Sequence, residues 1–393
     1  MKLKLSILFF CLVTPFIYAQ QQKLSNEAII SVLTIGPGTS LNDAFGHNGF
    51  RIKDDTFHID LVFNYGVYDF DTPNFYTKFA RGKLNYKIGV NYYEDFFNSY
   101  ITQNRTIKEQ ILNLSQTEKQ DLFNYLINNY KPENKYYLYD FFYDNCATKI
   151  RDVLPIVLKD DIIFNEPEGF KQKTFRRLIH DHVNRNSWGG FGIDIALGSV
   201  IDRKATPEEH MFLPKYIYVF FKNASLKNSK SLVKQSKVLY SKKDKPASNN
   251  FFTSPLMVFG VIAVMMLLIT FLDYKKSKQS VWLDVSIFTF TGIVGSIVLL
   301  LWFATDHSAT AQNYNLLWAF ALNLFMIPQL FKKNINNWFI KYLKFLVIML
   351  CLLTLHWLIG VEIFAVGIIP LLIALAVRYL FLINHFKKLN TEH

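Results

Sequence analysis

The chain has 393 residues, of which 51% are hydrophobic and 19% charged, and it carries a formal net charge of +12. That composition excludes a disordered chain and points to a membrane protein with a soluble part. The lysines group near apolar segments and in one short stretch, not on a basic helix, so anionic phospholipid and not nucleic acid is the partner they fit.

Residues 1–19 read as a secretory signal, with Lys2 and Lys4 as the charged start, an apolar run behind them, and Ala19 before the expected cut. Ile17 is bulky where a small residue is usual, which leaves a retained anchor as the alternative; either reading exports the domain behind it. Cys11 is embedded in the apolar run after Phe10 and lacks the setting of a lipid-attachment site.

Residues 20–224 are long enough for one periplasmic domain with its own core. Apolar or alternating runs at 28–35, 46–52 and 56–65 read as strands of a small sheet. Ser115-Gln116-Thr117-Glu118 is a capping box, and Leu122, Phe123, Leu126, Ile127 and Tyr130 recur behind it at helical spacing, which predicts a helix over 116–129. Asn145 suits the cap of a second helix, with Ala147, Ile150 and Leu154 on its buried face and Pro155 at its end. Sheet and helices together make an α+β domain. Residues 225–250 are rich in Lys, Ser and Asn and read as a flexible tether or spacer.

From residue 251 to 385 the hydropathy shows five stretches long enough to cross a bilayer, at 255–272, 281–303, 314–331, 338–358 and 361–382. Lysines cluster at 275–278, 332–333 and 341–344, and in the short tail 386–393, whereas the connections around Asp306 and Gly360 carry none. That alternation puts the basic loops and the C-terminus in the cytoplasm. Lys237, Lys242, Lys243 and Lys245 lie on the outer side, where the export signal of a long domain overrides them. Near the outer face stand Asp306, His307, His356 and Glu362, with Trp302 and Trp357; they read either as guides for a lipid head group or as ordinary loop and belt residues. Cys351 reads as an apolar packing residue.

Apart from Cys11 and Cys351, Cys146 is the one cysteine in the chain, and a lone thiol in an oxidising compartment asks for a reason. In the first turn of a helix it meets unpaired backbone N–H groups and the positive end of the helix dipole, which predicts a lowered pKa and a nucleophile. Such a thiol needs a base and a group that orients the base. Of His47, His58, His180, His182 and His210, His47 is best placed, on a strand between Gly46 and Gly49. His58, Asp60 and Asn64 share one face of the next strand. Asp60 is the favoured orienter and His58 the alternative. The backbone N–H of Cys146 is the natural oxyanion donor, with Asn145, Tyr139 or Tyr143 as candidates for a second. His180-Asp181-His182 lacks ligand partners at metal spacing, and neither a metal nor another cofactor is expected.

The strings FGHNGFRI from Phe45, NYGVYDF from Asn64, PNFY from Pro73, GKLNY from Gly82 and DNCAT from Asp144 resemble the periplasmic domain of the Lnb-type lipoprotein N-acyltransferases of Bacteroides-like bacteria. Segments from Phe191 to Gly198 and from Met211 to Pro214 resemble it too, as does the trailing set of membrane helices. More distantly, the order histidine, polar residue, cysteine resembles the permuted papain-like superfamily, in which the second position is often a histidine. The resemblance implies a permuted papain-like thiol domain followed by a five-helix transmembrane bundle. It implies acyl transfer from a phospholipid, through a Cys146 thioester, to the α-amine of a lipoprotein, with His47 as the base. Rival readings are a peptidase or amidase acting on cell wall, and a membrane-tethered binding module without catalysis.

Overall fold

The computed structural model describes residues 22–159, 162–227, 229–243, 251–332 and 335–391. The expected signal, with Cys11, lies outside the described residues. The N-terminal part holds the strands β1 (Ile29–Ile35), β2 (His47–Asp54), β3 (Ile59–Val67), β4 (Asn85–Tyr92), β5 (Ile107–Leu112), β6 (Tyr136–Leu138), β7 (Ile162–Ile163), β8 (Ser225–Leu226) and β9 (Val233–Tyr240). Seven of them form one sheet whose neighbours are all antiparallel, in the order β6-β4-β3-β2-β1-β5-β9, while β7 and β8 pair separately. The sheet is larger than the sequence pattern suggests.

The helices of this part are α1 (Phe75–Ala80), α2 (Tyr93–Thr102), α3 (Gln116–Tyr130), α4 (Cys146–Leu158), α5 (Phe175–His180), α6 (Trp188–Ala196) and α7 (Pro214–Asn223). Helix α3 opens with the expected capping box: the Ser115 hydroxyl accepts from the Glu118 N–H and the Glu118 carboxylate accepts from the Ser115 N–H. Helix α4 passes through Pro155 to Leu158 instead of ending at the proline, because Val157 and Leu158 extend the buried face that Ile150 and Leu154 begin. That face packs on Val32, Phe50, Ile52 and Phe63 of the sheet, all fully buried, and each such side chain contributes about 1.5–3 kcal/mol of burial.

The stretch 225–250 is not a tether throughout. Val233–Tyr240 adds an outer strand to β5, with Gln110 opposite Ser236 and Ile111 opposite Gln235. An exposed strand edge recruits any chain that can pair with it, and the polar, alternating VKQSKVLY does so without needing a buried face on both sides.

Four helices are long and apolar enough to cross a membrane among the described residues: α8 (Pro255–Lys276), α9 (Val281–Phe303), α11 (Asn337–Leu358) and the helix containing α12 (Ile369–Thr391). Helix α12 runs on through the segment expected to be a tail. The third expected span is broken. Tyr314–Leu317 and Ile327–Phe331 are 3-10 turns around a four-residue helix, α10 (Asn323–Met326). Irregular backbone is tolerated at membrane depth only under cover of protein, and here α9 supplies it: a Cβ on Gly295 would fall 2.1 Å from the Ala319 carbonyl oxygen. The Asn323 amide is met by Thr291 at 2.7 Å and by the Tyr342 hydroxyl. Cys351 faces outward on α11 instead of packing inside the bundle.

The two parts are joined by a buried polar junction. Arg176 of α5 binds Asp202 at 2.9 Å, Asp194 at 3.0 Å and the carbonyls of Leu197 and Gly198. His180 donates to Asp194 at 2.9 Å. From the membrane side, Asn315 donates to the Asp194 carbonyl and to Glu362, and Asn313 donates to the Ile195 carbonyl. Gly198 N–H bonds the Ala309 carbonyl, and a Cβ at Gly198 would stand 1.9 Å from the Ala311 oxygen, so only glycine fits. Glu362, one of the expected outer-face residues, therefore serves inside the joint; burial pushes its carboxyl up to about 8.

Candidate active site

Pairing of β2 with β3 stops at Phe50 and Phe63, although β2 runs back to His47 and β3 on to Val67. β3 loses register with β4 between Asn64 and Val67, and Gly66 adopts φ +87°, a conformation that favours glycine. The N-terminus of α4 sits beside this gap. A Cβ on Gly66 would lie 3.6 Å from the Cys146 Cβ.

Asn145 fixes the start of α4. Its Oδ1 accepts from the N–H groups of Ala147 at 2.7 Å and Thr148 at 3.0 Å, and its Nδ2 donates to the carbonyls of Phe141 and Phe212. With every polar atom committed, Asn145 is a cap and not a spare oxyanion donor. Cys146 follows it and presents its sulfur to the backbone N–H of Asn48, the residue after His47, and to the N–H groups of its own first turn. The sulfur thus faces the backbone of β2 one residue from His47, and Arg105 acts on both Cys146 and His47.

The helix N-terminus does not win the electrostatic contest. Burial pushes the Cys146 thiol up to about 11, against the N–H groups and the charge of Arg105, which favour the thiolate. The lowered pKa expected from the helix start is therefore corrected. Burial likewise holds His47 down to about 4, with the Asn64 hydrogen bond opposing and the positive charge of Arg105 adding to it. At neutral pH the pair is thiol and neutral imidazole.

His47 Nε2 lies 3.2 Å from Asn64 Oδ1. The Asn64 amide nitrogen donates to Asn91 Oδ1 at 3.0 Å and toward the Gly89 carbonyl at 3.5 Å, which turns its oxygen to the ring. Nε2 then carries the proton, and Nδ1 keeps the basic lone pair. Phe96 and Tyr100 flank the imidazole at 6.4 and 6.3 Å between ring centres. Arg105 lies over Tyr100, anchored to the Gly36 carbonyl at 2.9 Å, with its Nη2 buried and without a hydrogen-bond partner among the described residues.

The favoured orienter is elsewhere. Asp60 is gripped by Arg51 through two bonds of 2.7 Å, and His58 sits at φ 53° in the β2–β3 turn. Both line a separate open depression with Tyr92 and Tyr93. Asp60 shares a strand face with Asn64 but stands four residues away, roughly 13 Å at strand rise. Period two assigns the face; it does not assign the register. The missed signal is the turn at Asp55–His58: carrying the Asp54–Ile59 pairing along the hairpin puts Gly66 opposite His47 and leaves Asn64 as the nearest polar residue on that face. Asn91 and Arg105 carry no sequence pattern that would have found them.

Of the two tyrosines, Tyr143 is exposed and accepts from Arg203 at 3.2 Å, on the surface. Tyr139 is the one held near Cys146, stacked on Tyr86 at 4.2 Å, and burial keeps its phenol protonated. His180 and His182 are used by Asp194 and the Leu178 carbonyl, and His210 by the Lys173 N–H and the Thr206 carbonyl. Asp306 and His307 hold the end of α1 at the Arg81 and Phe79 carbonyls, while His356 bonds the Leu352 carbonyl and stacks near Tyr314.

Residues 18–180 match the family model of the Lnb N-terminal periplasmic domain, and residues 247–389 match that of the Lnb transmembrane domain. No curated protein and no solved structure matches the chain.

Proposed function

The chain belongs to the Lnb family, as a membrane protein with a periplasmic N-terminal domain, and from that premise we propose that it is a lipoprotein N-acyltransferase working through a Cys146 thioester. The observation that supports the reading is the Cys146 sulfur on the Asn48 N–H, one residue along β2 from His47, with Asn64 at the imidazole. A histidine on a strand, an amide on the next strand and a cysteine opening a helix fit a permuted papain-like domain, and the orienter in this reading is Asn64, not Asp60 or His58.

In the first half-reaction the Cys146 sulfur attacks an ester carbonyl of a phospholipid while its proton passes to His47 Nδ1. The backbone N–H groups of Cys146 and Asn48 aim at the carbonyl oxygen as it becomes negative. The C–O bond then breaks, and the lyso-lipid oxygen leaves with the proton from His47. In the second half the α-amine of a lipoprotein attacks the thioester carbonyl, His47 takes a proton from nitrogen, the C–S bond breaks, and the sulfur recovers its proton. No charge accumulates on either residue at rest, which suits an enclosed site.

Donor and acceptor are both lipids of the outer face of the cytoplasmic membrane, which supports the fixed seat of the thiol domain on the loops at 304–313 and 359–365. The C-terminus in this reading is cytoplasmic. Lipoproteins from cells with and without the protein, compared by mass spectrometry, test the proposal. Loss of one N-terminal acyl chain, restored by wild type but not by Cys146→Ser or His47→Ala, is the expected result. Intact lipoproteins with altered muropeptides would turn the assignment to cell-wall hydrolysis, and no change in either would turn it to binding.

A further inference from the structure

Exposed aromatic rings clustered on a soluble face call for something to cover them. Phe70, Tyr76 and Phe79, on and just before α1, are 65%, 79% and 54% exposed. They belong to one series of rings. Phe75 touches Phe70 at 4.9 Å, Tyr76 at 5.4 Å and Phe79 at 6.4 Å. Tyr68 follows, 5.0 Å from Phe70 and 5.4 Å from Tyr86, and Tyr86 stacks on Tyr139 beside the thiol. Tyr68 also stands two residues from Gly66, the glycine against Cys146. Rings therefore run without a break from solvent to Tyr139, whose phenol feels the charge of Cys146.

The outer end of this ridge is tied to the membrane domain. The Arg81 carbonyl accepts from the Asp306 N–H at 2.9 Å, and the Phe79 carbonyl faces His307 Nε2 at 3.0 Å. Asp306 comes three residues after Phe303, the last residue of α9. Gly82, at φ +69°, admits this approach, since a Cβ there would lie 3.1 Å from the His307 nitrogen. Helix α1 is thereby seated beside the end of a spanning helix, near the stacked pair Trp302–Phe303. Aromatic rings are enriched at that height in membrane proteins, and Lys78 and Arg81 at the end of the same short helix suit lipid phosphate.

We infer that the Tyr68–Phe79 ridge lies in the outer leaflet and leads one acyl chain of a diacyl phospholipid along Tyr68, Tyr86 and Tyr139 to Cys146, an inference that deepens the acyl-transfer reading and rests on it for the last step. The occupant is bilayer lipid and not a partner protein, because the ridge continues the surface of the membrane domain and carries the charge that lipid head groups complement.

The test uses the full chain with Cys146→Ala and Cys351→Ala, reconstituted in phosphatidylcholine and phosphatidylglycerol vesicles. An environment-sensitive fluorophore is placed at Tyr76→Cys, and separately at Thr56→Cys in the distant β2–β3 turn. Phospholipid bearing a nitroxide near the carbonyl end of its acyl chain is expected to quench the label at position 76 strongly and to leave that at 56 bright. Equal, weak quenching at both positions overturns the ridge, whatever the enzyme does. With Cys146 intact, the double change Tyr76→Ser and Phe79→Ser is expected to slow acylation of Cys146 by vesicle lipid about tenfold, the cost of losing about one ring's burial. Alkylation of Cys146 by iodoacetamide stays as it was, and Phe79→Trp keeps the rate. Strong quenching at 76 without any acyl adduct supports the membrane seat and defeats the transfer reading. Acylation without quenching defeats the ridge alone.

Discussion

Two of the enclosed polar clusters among the described residues, the junction and the thiol site, are built on opposite rules. At the junction, Arg176, Asp194, His180, Asp202 and Asn315 give almost every donor an acceptor, and charges meet charges. At the thiol site, Cys146 and His47 are kept neutral by burial, Arg105 keeps an unpaired Nη2, and the Asn48 Oδ1 has no partner among the described residues. A saturated cluster has nothing left to offer a substrate and acts as a joint. An unsaturated one stores unmet hydrogen-bonding capacity, which a reacting group can satisfy.

Breaking the joint should be the costliest change. Asp194→Ala takes the carboxylate from His180 and from Arg176 Nη1, leaving Arg176 to Asp202 and two carbonyls, and removing one partner from a buried ion pair costs about 3–5 kcal/mol. Thermal unfolding of the full chain in detergent should show this as a large fall in midpoint, whereas Arg203→Ala, which breaks an exposed pair with Glu209 and a surface bond to Tyr143, should shift it by about 1 kcal/mol or less. Equal shifts would mean that the junction is not the joint described.

At the thiol site the corresponding change should leave the fold and remove the chemistry. Asn64→Ala frees the imidazole to turn and to change tautomer, and should lower acyl transfer about a hundredfold with little change in unfolding midpoint. Asp60→Ala is the matched control and should leave the rate close to wild type, since Asp60 answers to Arg51. Were the two variants to exchange effects, Asp60 would return as the orienter.

The neutral state of the pair has its own signature. A thiol pushed up to about 11 alkylates slowly at pH 7, and its rate should climb about tenfold per pH unit toward that value. Its unfolded value lies lower, so the folded state binds its proton more tightly, and the associated stability is lost as pH rises from about 9 through about 11. His47, depressed to about 4, stays a free base across the neutral range, so activity should fall on the acid side only as pH approaches about 4. An alkylation profile with a midpoint near 7 would contradict burial as the controlling force.

The smallest expected effect returns to the joint. Glu362, raised to about 8 against an ordinary value of 4.5, lends stability that is fully present below 4.5 and is lost as pH rises through about 8. Glu362→Gln should flatten that pH dependence of the unfolding midpoint; an unchanged slope would place the titration elsewhere.

What the sequence makes legible depends on the range of each signal. The α4 start, with Asn145 as cap and Cys146 in the first turn, is local and readable, as are the α3 capping box and the apolar spans. The strand histidine is readable from its glycines. Register is not, because Asn64 and Asp60 look alike at period two and differ only by where the hairpin turns. Burial is not readable either, so the dipole argument for an acidic thiol lacks the larger opposing force. Residues 233–240 read as linker because a polar edge strand has almost no pattern until β5 offers it a ladder. The break at 314–331 hides for the opposite reason: an apolar composition conceals Asn315, Asn323 and Pro328, and the partners of the two asparagines lie on α9, on α11 and at the junction.

The most direct measurement is the intact mass of the full chain after incubation with vesicles of one defined phospholipid and no amine acceptor. The account predicts a single added acyl chain on the peptide containing Cys146, removable by neutral hydroxylamine and absent in His47→Ala. An unmodified Cys146, in protein whose thiol still alkylates at high pH, would contradict it.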